Sequence, residues 1–379
     1  MGVDTHKVEV VPVVLEKHPN ADKLSVVRVY NFTCVVNTAD WQGVTQAAYV
    51  QPDSVMPDKP EYRFLKETGN IKKEREALWT AMQAEHESDL ARLDYDMKLL
   101  ELEKRVDSNT KRLRITVVKL RGVISMGMLL PAPEGSQIGD DVADILGVTH
   151  YEPPMNDTAK GDDLAPPPPM IYAPKYDVES VYKFSDAFEA GEMVYVSEKL
   201  DGQNARYVST RGPDIVDGVE VYNHFTFHAG SRTEWKKKEG NSNWWRAIDQ
   251  NPWIESWMVM HPEAILYGEV FGWVAPLRYG AKQGQLFFRA FDVMEGMDYW
   301  DAEKFLAEVP EEHRVPTLGV MPFDFERLQV HADGKSYISG ADHMREGIVI
   351  KPLKERKHWK LGRVMLKMVS NAYLEKSAR

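Results

Sequence analysis

Residues 195–206 read Tyr-Val-Ser-Glu-Lys-Leu-Asp-Gly-Gln-Asn-Ala-Arg, and this stretch decides how the second half of the chain is interpreted. A short β-type run, 193–197, leads to Lys199, and Asp201 and Gly202 follow at once. A glycine permits a tight turn and leaves room for a phosphate beside the lysine. A lysine amine becomes a good nucleophile when its pKa is lowered, as happens in a partly dry site beside other cations. Alone, Lys-x-Asp-Gly is a weak pattern, because most occurrences of so short a motif are surface turns.

Further polar elements follow in a fixed order along the chain. They are Ser231-Arg232-Thr233, then Tyr-Gly-Glu-Val-Phe-Gly at 267–272, Phe-Arg-Ala-Phe-Asp-Val at 288–293, Glu-Gly-Ile-Val-Ile-Lys-Pro at 346–352 and Leu-Lys-Met-Val-Ser at 366–370. Together with the lysine motif, this set resembles the covalent nucleotidyltransferase superfamily of ligases and mRNA capping enzymes. Its details look most like the ATP-dependent RNA ligases. The resemblance spans roughly 170–379 and is strong, because so many co-linear motifs rarely arise by chance.

The residue types alone already indicate a phosphoryl-transfer or nucleotidyl-transfer site. Lys199 offers an amine, and Glu269 and Glu346 offer hard oxygen ligands of the kind that Mg²⁺ prefers. Further cations come from Arg232, Lys351 and Lys367. Clustered cations neutralise developing phosphate charge and are expected to depress the pKa of the lysine.

The resemblance implies a role for each of these residues. Lys199 would attack the α-phosphorus of ATP, expel pyrophosphate and hold AMP through a P–N bond. Glu346 and Glu269 would bind Mg²⁺ or Mn²⁺. An aromatic platform suits a purine face, so Phe291 would stack on adenine. The residues implied in nucleotide binding are Glu198, Asp201, Gly202, Asn204, Arg232, Glu269, Phe291, Asp292, Lys351 and Lys367.

Plainer interpretations stand beside these roles. Phe291 has about even odds of being ordinary core in an apolar strand. Arg232 and Lys351, each taken singly, fit surface charges. Glu269 and Glu346 fit a core less well, because burying an unpaired carboxylate is costly.

The last motif departs from the superfamily pattern. It usually contains Lys-x-Lys, whereas here Lys367 is preceded two residues earlier by Met365 and followed two residues later by Val369. Either register leaves one lysine missing, and Lys354, Lys360 or Arg363 are the available substitutes.

Composition is that of an ordinary soluble globular protein with two domains. The 379 residues are 43% hydrophobic and 28% charged. The single cysteine excludes an internal disulfide framework, and neither a membrane span nor a secretory leader is recognisable, so we expect a cytoplasmic protein.

The net charge of −11 argues against a nucleic-acid partner unless the cations are clustered. Two clusters exist, at 235–246 with interleaved tryptophans and at 351–367, and each has a solvated surface face as its plain interpretation.

The first 150 residues alternate in short β-branched runs with turns between them, which predicts a small barrel. Strands are predicted at 8–15, 24–30, 34–36, 47–50 and 113–120. Between about 70 and 107 there is one long helical insertion, since residues 71–106 contain neither Gly nor Pro. Its apolar stripe, Leu90, Leu93, Met97 and Leu100, is expected to pack against its own domain rather than form a helical arm. Segments 18–24 and 113–131 resemble the OB-type modules of some tRNA-binding proteins and RNA ligases.

The predicted fold class is therefore α+β. An N-terminal OB-type β-barrel with a long helical insertion (1–150) precedes a proline-rich linker (151–175) and a mixed α/β nucleotidyltransferase domain (176–379). Prolines 166–169 favour a semi-rigid linker. Helices are expected at 244–254 and 301–308 in the second domain. The barrel would bind nucleic acid or, on the alternative interpretation, serve only for docking.

These features predict an ATP-dependent RNA ligase that joins 5′-phosphate to 3′-hydroxyl ends through lysyl-AMP and adenylylated RNA, in RNA repair. Its partners would be RNA ends in a nicked duplex, a broken RNA or an RNA/DNA hybrid, with no membrane, and the protein would be a monomer. DNA ligases and capping enzymes usually carry an OB domain after the transferase domain, and the order here favours an RNA ligase. The alternatives are a catalytically inactive nucleic-acid-binding protein, or a DNA ligase or capping-type nucleotidyltransferase.

Overall fold

The computed structural model describes residues 6–84, 89–151, 163–216 and 219–377. They form two compact units, one within 6–151 and one within 163–377, each with its own hydrophobic core. No helix in these ranges is long and apolar enough to cross a membrane.

The first unit is built from short strands whose alternate side chains are buried. In β4 (Phe32–Asn37) the buried positions are Phe32, Cys34 and Val36, which is the two-residue period of a strand with one face in a core. β4 pairs with β3 (Leu24–Val29), and β5 (Gln46–Val50) lies between β1 (Glu9–Pro12) and β9 (Met128–Pro131). The remaining strands are β2 (Glu16–Lys17), β6 (Ser54–Val55), β7 (Val118–Leu120), β8 (Val123–Ser125) and β10 (Thr149–His150), with short helices α1 (Thr38–Trp41) and α4 (Ala143–Leu146).

Two of the predicted strands are shorter than expected. Within the run 8–15 only β1 (Glu9–Pro12) forms, with β2 starting after the run, and only the last three residues of 113–120 form β7. The reason at 113–120 is local, because Thr110–Leu113 closes a 3₁₀ turn that buries Leu113 in the barrel core.

The helical insertion is a pair of helices rather than one long helix. α2 (Gly69–Ala84) and α3 (Asp89–Ser108) are joined through residues 85–88, which lie outside the described residues, and they pack on each other around Ile71, Leu102 and Val106. Ion pairs such as Arg105 to Glu74, at 2.8 Å, bridge the two helices.

The apolar stripe predicted to pack inward is exposed instead. Leu90 is 81% exposed, and Leu93, Met97 and Leu100 are each 57–58% exposed. The prediction was wrong because the partner helix α2 meets α3 on a different face, the one that carries Leu102 and Val106.

The second unit contains two larger sheets. A seven-stranded sheet has the order β11 (Leu164–Ala165), β16 (Trp235–Lys236), β15 (Val219–Gly230), β14 (Gly202–Val216), β17 (Ile265–Gly272), β18 (Leu286–Glu295) and β19 (Asp298–Tyr299). A five-stranded sheet has the order β12 (Glu179–Ser180), β24 (Leu366–Val369), β21 (Gly347–Pro352), β13 (Met193–Lys199) and β20 (Thr317–Pro322). A hairpin of β22 (Lys357–His358) and β23 (Gly362–Arg363) lies between β21 and β24 in the chain.

Helices cover the outer sides of these sheets. The helix expected at 244–254 is two helices, α6 (Asn243–Gln250) and α7 (Trp253–Met260), because Pro252 cannot continue a helix and instead caps the second one. The helix expected at 301–308 is present as α8 (Ala302–Glu308). The others are α5 (Val181–Phe184), α9 (Phe325–Ala332) and α10 (Asn371–Ser377).

Part of the predicted linker belongs to the second unit. Residues 152–162 lie outside the described residues, but β11 pairs with β16, and Ala165, Ile171 and Ala173 pack on a core cluster of the transferase sheets. Residues 163–175 are therefore held in place by strand pairing and burial in addition to their prolines.

Candidate active site

Lys199 lies where the chain passes from one sheet to the other. It ends β13 of the five-stranded sheet, and after Leu200 and Asp201 the chain enters β14 of the seven-stranded sheet at Gly202. Its cross-strand neighbour is Gly347, the residue after Glu346. The motif that is contiguous in sequence thus connects the two sheets.

The closest charged contact of Lys199 is with a carboxylate. Its Nζ donates to Glu346 Oε1 at 2.5 Å, across 147 residues of sequence. Burial works to lower the pKa of Lys199, but Glu346, Glu269 and Asp201 outweigh it, and the pKa lies above its ordinary value. The expected depression by neighbouring cations was wrong for this arrangement, because carboxylates surround the amine.

The two glutamates predicted as metal ligands both face this amine. Burial raises the pKa of Glu269 to about 8, with the negative charges of Glu346 and Asp201 adding to the shift and Lys199 opposing it. Burial also raises the pKa of Glu346, with Lys199 and Lys367 acting in the opposite direction. Such pKa values show that the pocket favours an additional positive charge.

The pocket offers oxygen atoms that fit a hard divalent cation. Glu346 Oε2 and Asn204 Oδ1 are buried without a hydrogen-bond partner in the described part of the chain, and Asn204 is the cross-strand neighbour of Glu269. No group of three or more His, Cys, Asp or Glu ligands occurs in the described ranges. The protein would therefore supply two carboxylates and leave other positions to water and phosphate, a ligand set that suits Mg²⁺.

Gly202 is required by close packing of two strands. A Cβ at this position would lie 2.3 Å from the Val270 carbonyl oxygen and 2.9 Å from Glu269 Cγ. The glycine therefore allows β17 to bring Glu269 next to the lysine. Asp201 has a positioning role, since its Oδ2 accepts from the Leu277 amide at 3.1 Å and its own amide donates to the Tyr279 hydroxyl.

Phe291 lies at a β-bulge of the seven-stranded sheet. In the β17–β18 pairing Tyr267 is opposite Asp292 and Gly268 is opposite Ala290, so Phe291 is an extra residue. Its ring is half-buried and packs in one cluster with Val349 of the other sheet. Stacking of adenine on this ring stays a prediction.

Asp292 and Lys351 belong to a buried ionic network. Lys351 Nζ donates to Asp292 Oδ1 at 2.9 Å, and the two side chains are 2% and 0% exposed. Arg363 reaches the other oxygen of Asp292 at 2.7 Å and also pairs with Glu355. Burial works to raise the pKa of Asp292, but Arg363 and Lys351 outweigh it and hold the pKa below its ordinary value. The network thus braces the segment that carries Phe291.

Lys351 does not lie next to Lys199. It is opposite Tyr195, four residues along β21 from Gly347, which corresponds to roughly 13 Å. Lys367, in contrast, is opposite Val349 and lies one row from the lysine motif on the same face of the sheet. Lys367 is thus the better placed of the two for a phosphate on Lys199, and a phosphate contact by Lys351 stays a prediction.

Met365 occupies one of the two positions at which a lysine of the last motif can be missing, the other being Val369. The Tyr176 hydroxyl donates to Asp292 and lies 2.9 Å from Met365 Sδ, and Tyr176 is packed on Phe291. Arg363, one of the proposed substitutes, is committed to Asp292 and Glu355. Tyr176 lies outside every motif, and no pattern in the sequence singled it out.

Glu198 and Arg232 have other partners in this structure. Strand alternation directs Glu198 to the face opposite Lys199, where its Oε2 accepts from the Tyr337 amide at 2.8 Å. Arg232 is 41% exposed and pairs with Asp177 at 3.0 Å. Contacts of either residue with a nucleotide stay predictions.

The basic cluster at 235–246 is less accessible than its sequence indicates. Trp235 and Trp245 are each 6% exposed, and Lys236 is buried against Glu234. Its tryptophans therefore belong to the packed interior, and the prediction that this cluster offers them to nucleic-acid bases was wrong. The cause is that β16 and α6 turn these rings inward, which the order of residue types does not reveal.

Comparison with known proteins finds a match for each of the two units. The sequence model of the RNA ligase family matches residues 192–369, and an OB-fold domain model matches residues 6–84. A solved Naegleria gruberi RNA ligase variant with ATP and manganese has 22% sequence identity and a TM-score of 0.68, covering 98% of this chain and 100% of that one. The Naegleria enzyme with pyrophosphate has 23% identity and a TM-score of 0.67, covering 98% of each chain. Curated protein sequences give no significant match.

These comparisons confirm several predictions. The order of an OB-fold module and a nucleotidyltransferase domain is confirmed, as is the resemblance to RNA ligases and with it the expectation of an enzyme. The likeness to solved structures extends over nearly the whole chain and concerns the fold.

Proposed function

We propose that this chain, whose residues 192–369 form an RNA ligase domain behind an OB-fold domain, joins RNA ends in an ATP-dependent reaction with a lysyl-AMP intermediate on Lys199. The observation that carries the proposal is the placement of Lys199. Its amine lies at the junction of the two sheets, 2.5 Å from Glu346; Glu269 of β17 acts on the charge of Lys199, and Lys367 of β24 acts on that of Glu346. A nucleophile, oxygen ligands and a cation thus meet at one point.

The reaction would proceed in three balanced steps. Lys199 Nζ, after loss of a proton, attacks the α-phosphorus of ATP; a P–N bond forms and the bond to pyrophosphate breaks. The RNA 5′-phosphate then attacks the same phosphorus, which breaks the P–N bond and moves AMP to the RNA. Finally the 3′-hydroxyl attacks the adenylylated 5′-phosphate, a phosphodiester forms and AMP leaves. Nucleophilic catalysis of this type divides one difficult step into easier ones.

The side chains around Lys199 supply the proton acceptor and the positioning. Glu346 Oε1 already accepts a hydrogen bond from the ammonium and is placed to receive its proton. Phe291 would stack on the adenine, as an aromatic ring suits a purine face. Asn204 and Lys367 would contact the ribose and the α-phosphate, and Arg232 would contact the nucleotide from the exposed rim.

ATP and Mg²⁺ or Mn²⁺ are the proposed cofactors. The Naegleria RNA ligase structures contain ATP or AMP with manganese, and the residues here fit such a cation through Glu269, Glu346 and the unpartnered oxygens beside them. When bound, the cation would neutralise charge on the phosphates and on the two carboxylates.

The labelling of Lys199 tests the proposal. The protein is incubated with ATP that is radioactive at the α-phosphate, with Mg²⁺ or Mn²⁺, and run on a denaturing gel. Wild type should become labelled and Lys199→Ala should not, while Lys304→Ala, which removes an exposed lysine paired with Glu295, should label normally. Label on another lysine would overturn the assignment, and equal labelling by GTP would favour a capping-type enzyme.

Glu346→Gln separates a metal role from a structural one. The substitution keeps the shape of the side chain but removes the charge, so labelling should fall and require much more metal, while circular dichroism stays unchanged. Normal labelling with normal metal dependence would contradict the assignment.

One observation favours the alternative of a catalytically inactive RNA-docking protein. One lysine of the last motif is missing in either register, and Met365, which takes that position in one of them, is 5% exposed in an apolar cluster. The same gel decides, because a docking protein would bind RNA without becoming labelled under any metal or nucleotide condition.

The biological setting is proposed from the activity alone. The substrates would be 5′-phosphate and 3′-hydroxyl ends in nicked duplex or broken RNA, the process RNA repair in the cytoplasm, and the acting species a monomer. Joining assays on these substrates and light scattering would test the choice of substrate and the monomeric state.

A further inference from the structure

The hairpin between β21 and β24 is fixed at its base. Arg363 binds Glu355 and Asp292, and Arg356 binds Glu192 at 2.9 Å. Lys357 pairs with Arg363 in the strand register, and the loop 359–361 ends at Gly362 with φ of +74°. A left-handed glycine after a three-residue loop is a regular hairpin connection. The loop is therefore held in a defined position.

The tryptophan in this loop, Trp359, is not part of a hydrophobic core. Trp359 is 81% exposed, whereas Trp79 and Trp273 are 49% and 42% exposed. Its ring contacts only its neighbours within the described residues, with Lys360 Nζ 4.8 Å from the ring centroid and the His358 ring 6.0 Å away. A ring so exposed is available for stacking with a planar ligand.

The surroundings of this ring are positive although the protein is acidic. Lys354, Lys357 and Lys360 are exposed, and none of them forms an ion pair with the described part of the chain. Glu355, the one carboxylate of the segment, is committed to Arg363 and Lys351. A stackable ring among free ammonium groups is the combination that binds single-stranded nucleic acid.

We propose that residues 357–360, which we call the Trp359 tip, bind the single-stranded body of the RNA substrate. One base stacks on Trp359, and Lys357 and Lys360 contact the flanking phosphates. The inference rests on the proposed ligase function and adds a substrate-binding element to it. β21 leaves Gly347, opposite Lys199, and reaches Pro352 after five residues, roughly 17 Å away. The tip thus holds the strand at a distance from the reacting end.

This position separates RNA binding from nucleotide chemistry. Trp359→Ala should leave labelling of Lys199 unchanged and weaken binding of a single-stranded RNA longer than about 16 nucleotides by about 5- to 150-fold, the range that loss of one stacked base produces. Trp359→Phe, which keeps a ring, should recover most of the affinity. Trp79→Ala, which removes another exposed tryptophan, is the matched control and should bind RNA like wild type. Fluorescence anisotropy of end-labelled RNA measures all four proteins.

Salt dependence tests the two lysines. Removing two phosphate contacts should reduce the slope of log K against log salt by about 1.4, since each contact to a single strand contributes about 0.7. The double variant Lys357→Ala/Lys360→Ala should show this reduction, and Lys72→Ala/Lys73→Ala, which removes two exposed lysines of the helical hairpin, should keep the wild-type slope.

Joining of pre-adenylylated donors distinguishes this inference from the function it rests on. Trp359→Ala should slow joining of a long donor and leave a dinucleotide donor unaffected, because a dinucleotide is too short to reach the tip. Wild-type affinity and joining in Trp359→Ala would overturn the tip proposal while the ligase function stands. Normal RNA binding with capture of a protein partner through Trp359 would assign the tip to protein docking and also overturn it. Absence of labelling and joining in wild type would refute the function itself.

Discussion

The buried pair of Asp292 and Lys351 provides a quantitative test of the transferase core. Asp292→Asn keeps the volume of the side chain but leaves Lys351, 2% exposed, without its closest counter-charge. Breaking a buried ion pair on one side costs about 3–5 kcal/mol. Glu355 is 3.6 Å from the same ammonium and compensates in part, so we expect the lower end, about 3 kcal/mol of the free energy of unfolding. Urea unfolding followed by tryptophan fluorescence reports on this unit, because most of the ten tryptophans lie in it.

Two comparisons make this measurement decisive. Asp94→Asn removes half of the exposed Lys98–Asp94 pair on α3 and should cost no more than about 0.5 kcal/mol. The double variant Asp292→Asn/Lys351→Met removes both buried charges and should cost less than the sum of the single changes, by about 1–3 kcal/mol. If Asp292→Asn destabilises no more than Asp94→Asn, or if the single costs simply add, the network does not brace the site as described.

Three further predictions follow from the same structure. Gly202→Ala should slow self-adenylylation by up to about 100-fold, because its Cβ would lie 2.3 Å from the Val270 carbonyl oxygen. Gly212→Ala in the same strand has open space around the new Cβ and should stay active. Equal rates of labelling in the two variants would contradict the packing argument. The stability that Asp292 contributes should be fully present above its ordinary pKa of 3.8 and should be lost as pH falls through its lowered pKa in the folded protein. The urea midpoints of wild type and Asp292→Asn, measured at decreasing pH, should therefore converge in the acid range. Midpoints that stay equally far apart would refute the pairing. A fragment starting at residue 163 should still become labelled by ATP but join RNA more slowly than the full chain, because the OB-fold module raises the local concentration of RNA. Equal joining of pre-adenylylated ends by the fragment and the full chain would show that the module does not hold the RNA substrate.

Much of the architecture was predictable because its signals are local. Strand alternation in 24–30 and 34–36 depends on which side chains face a core, and the structure has strands at both places. The helix after Asp301 begins where predicted. Pro252, which divides one predicted helix, is a local signal that the prediction overlooked. Local signals were insufficient for α3, because its packing against α2 determines which face is covered.

Burial of aromatic residues was the least predictable feature. Trp235 and Trp359 both stand beside lysines in sequence, yet the first is 6% and the second 81% exposed. The difference arises because β16 places Trp235 on an inner face of the seven-stranded sheet, whereas Trp359 lies in the turn that joins β22 to β23. Composition near each residue is the same, and only the position in the fold separates them.

The sequence by itself determined the order of the motifs, the choice of Lys199, Glu269 and Glu346 as candidate nucleophile and oxygen ligands, and the division into an OB-fold module and a transferase domain. These depend on residue types and on short-range periodicity, which the chain carries wherever it folds. The tertiary structure alone decided which charges surround Lys199, since its partner Glu346 is 147 residues away. A pKa depends on charges within a few ångströms and on burial, and both are set by packing of distant segments. Hence the lysine is surrounded by carboxylates, and the cation expected beside it, Lys351, is bound to Asp292 instead.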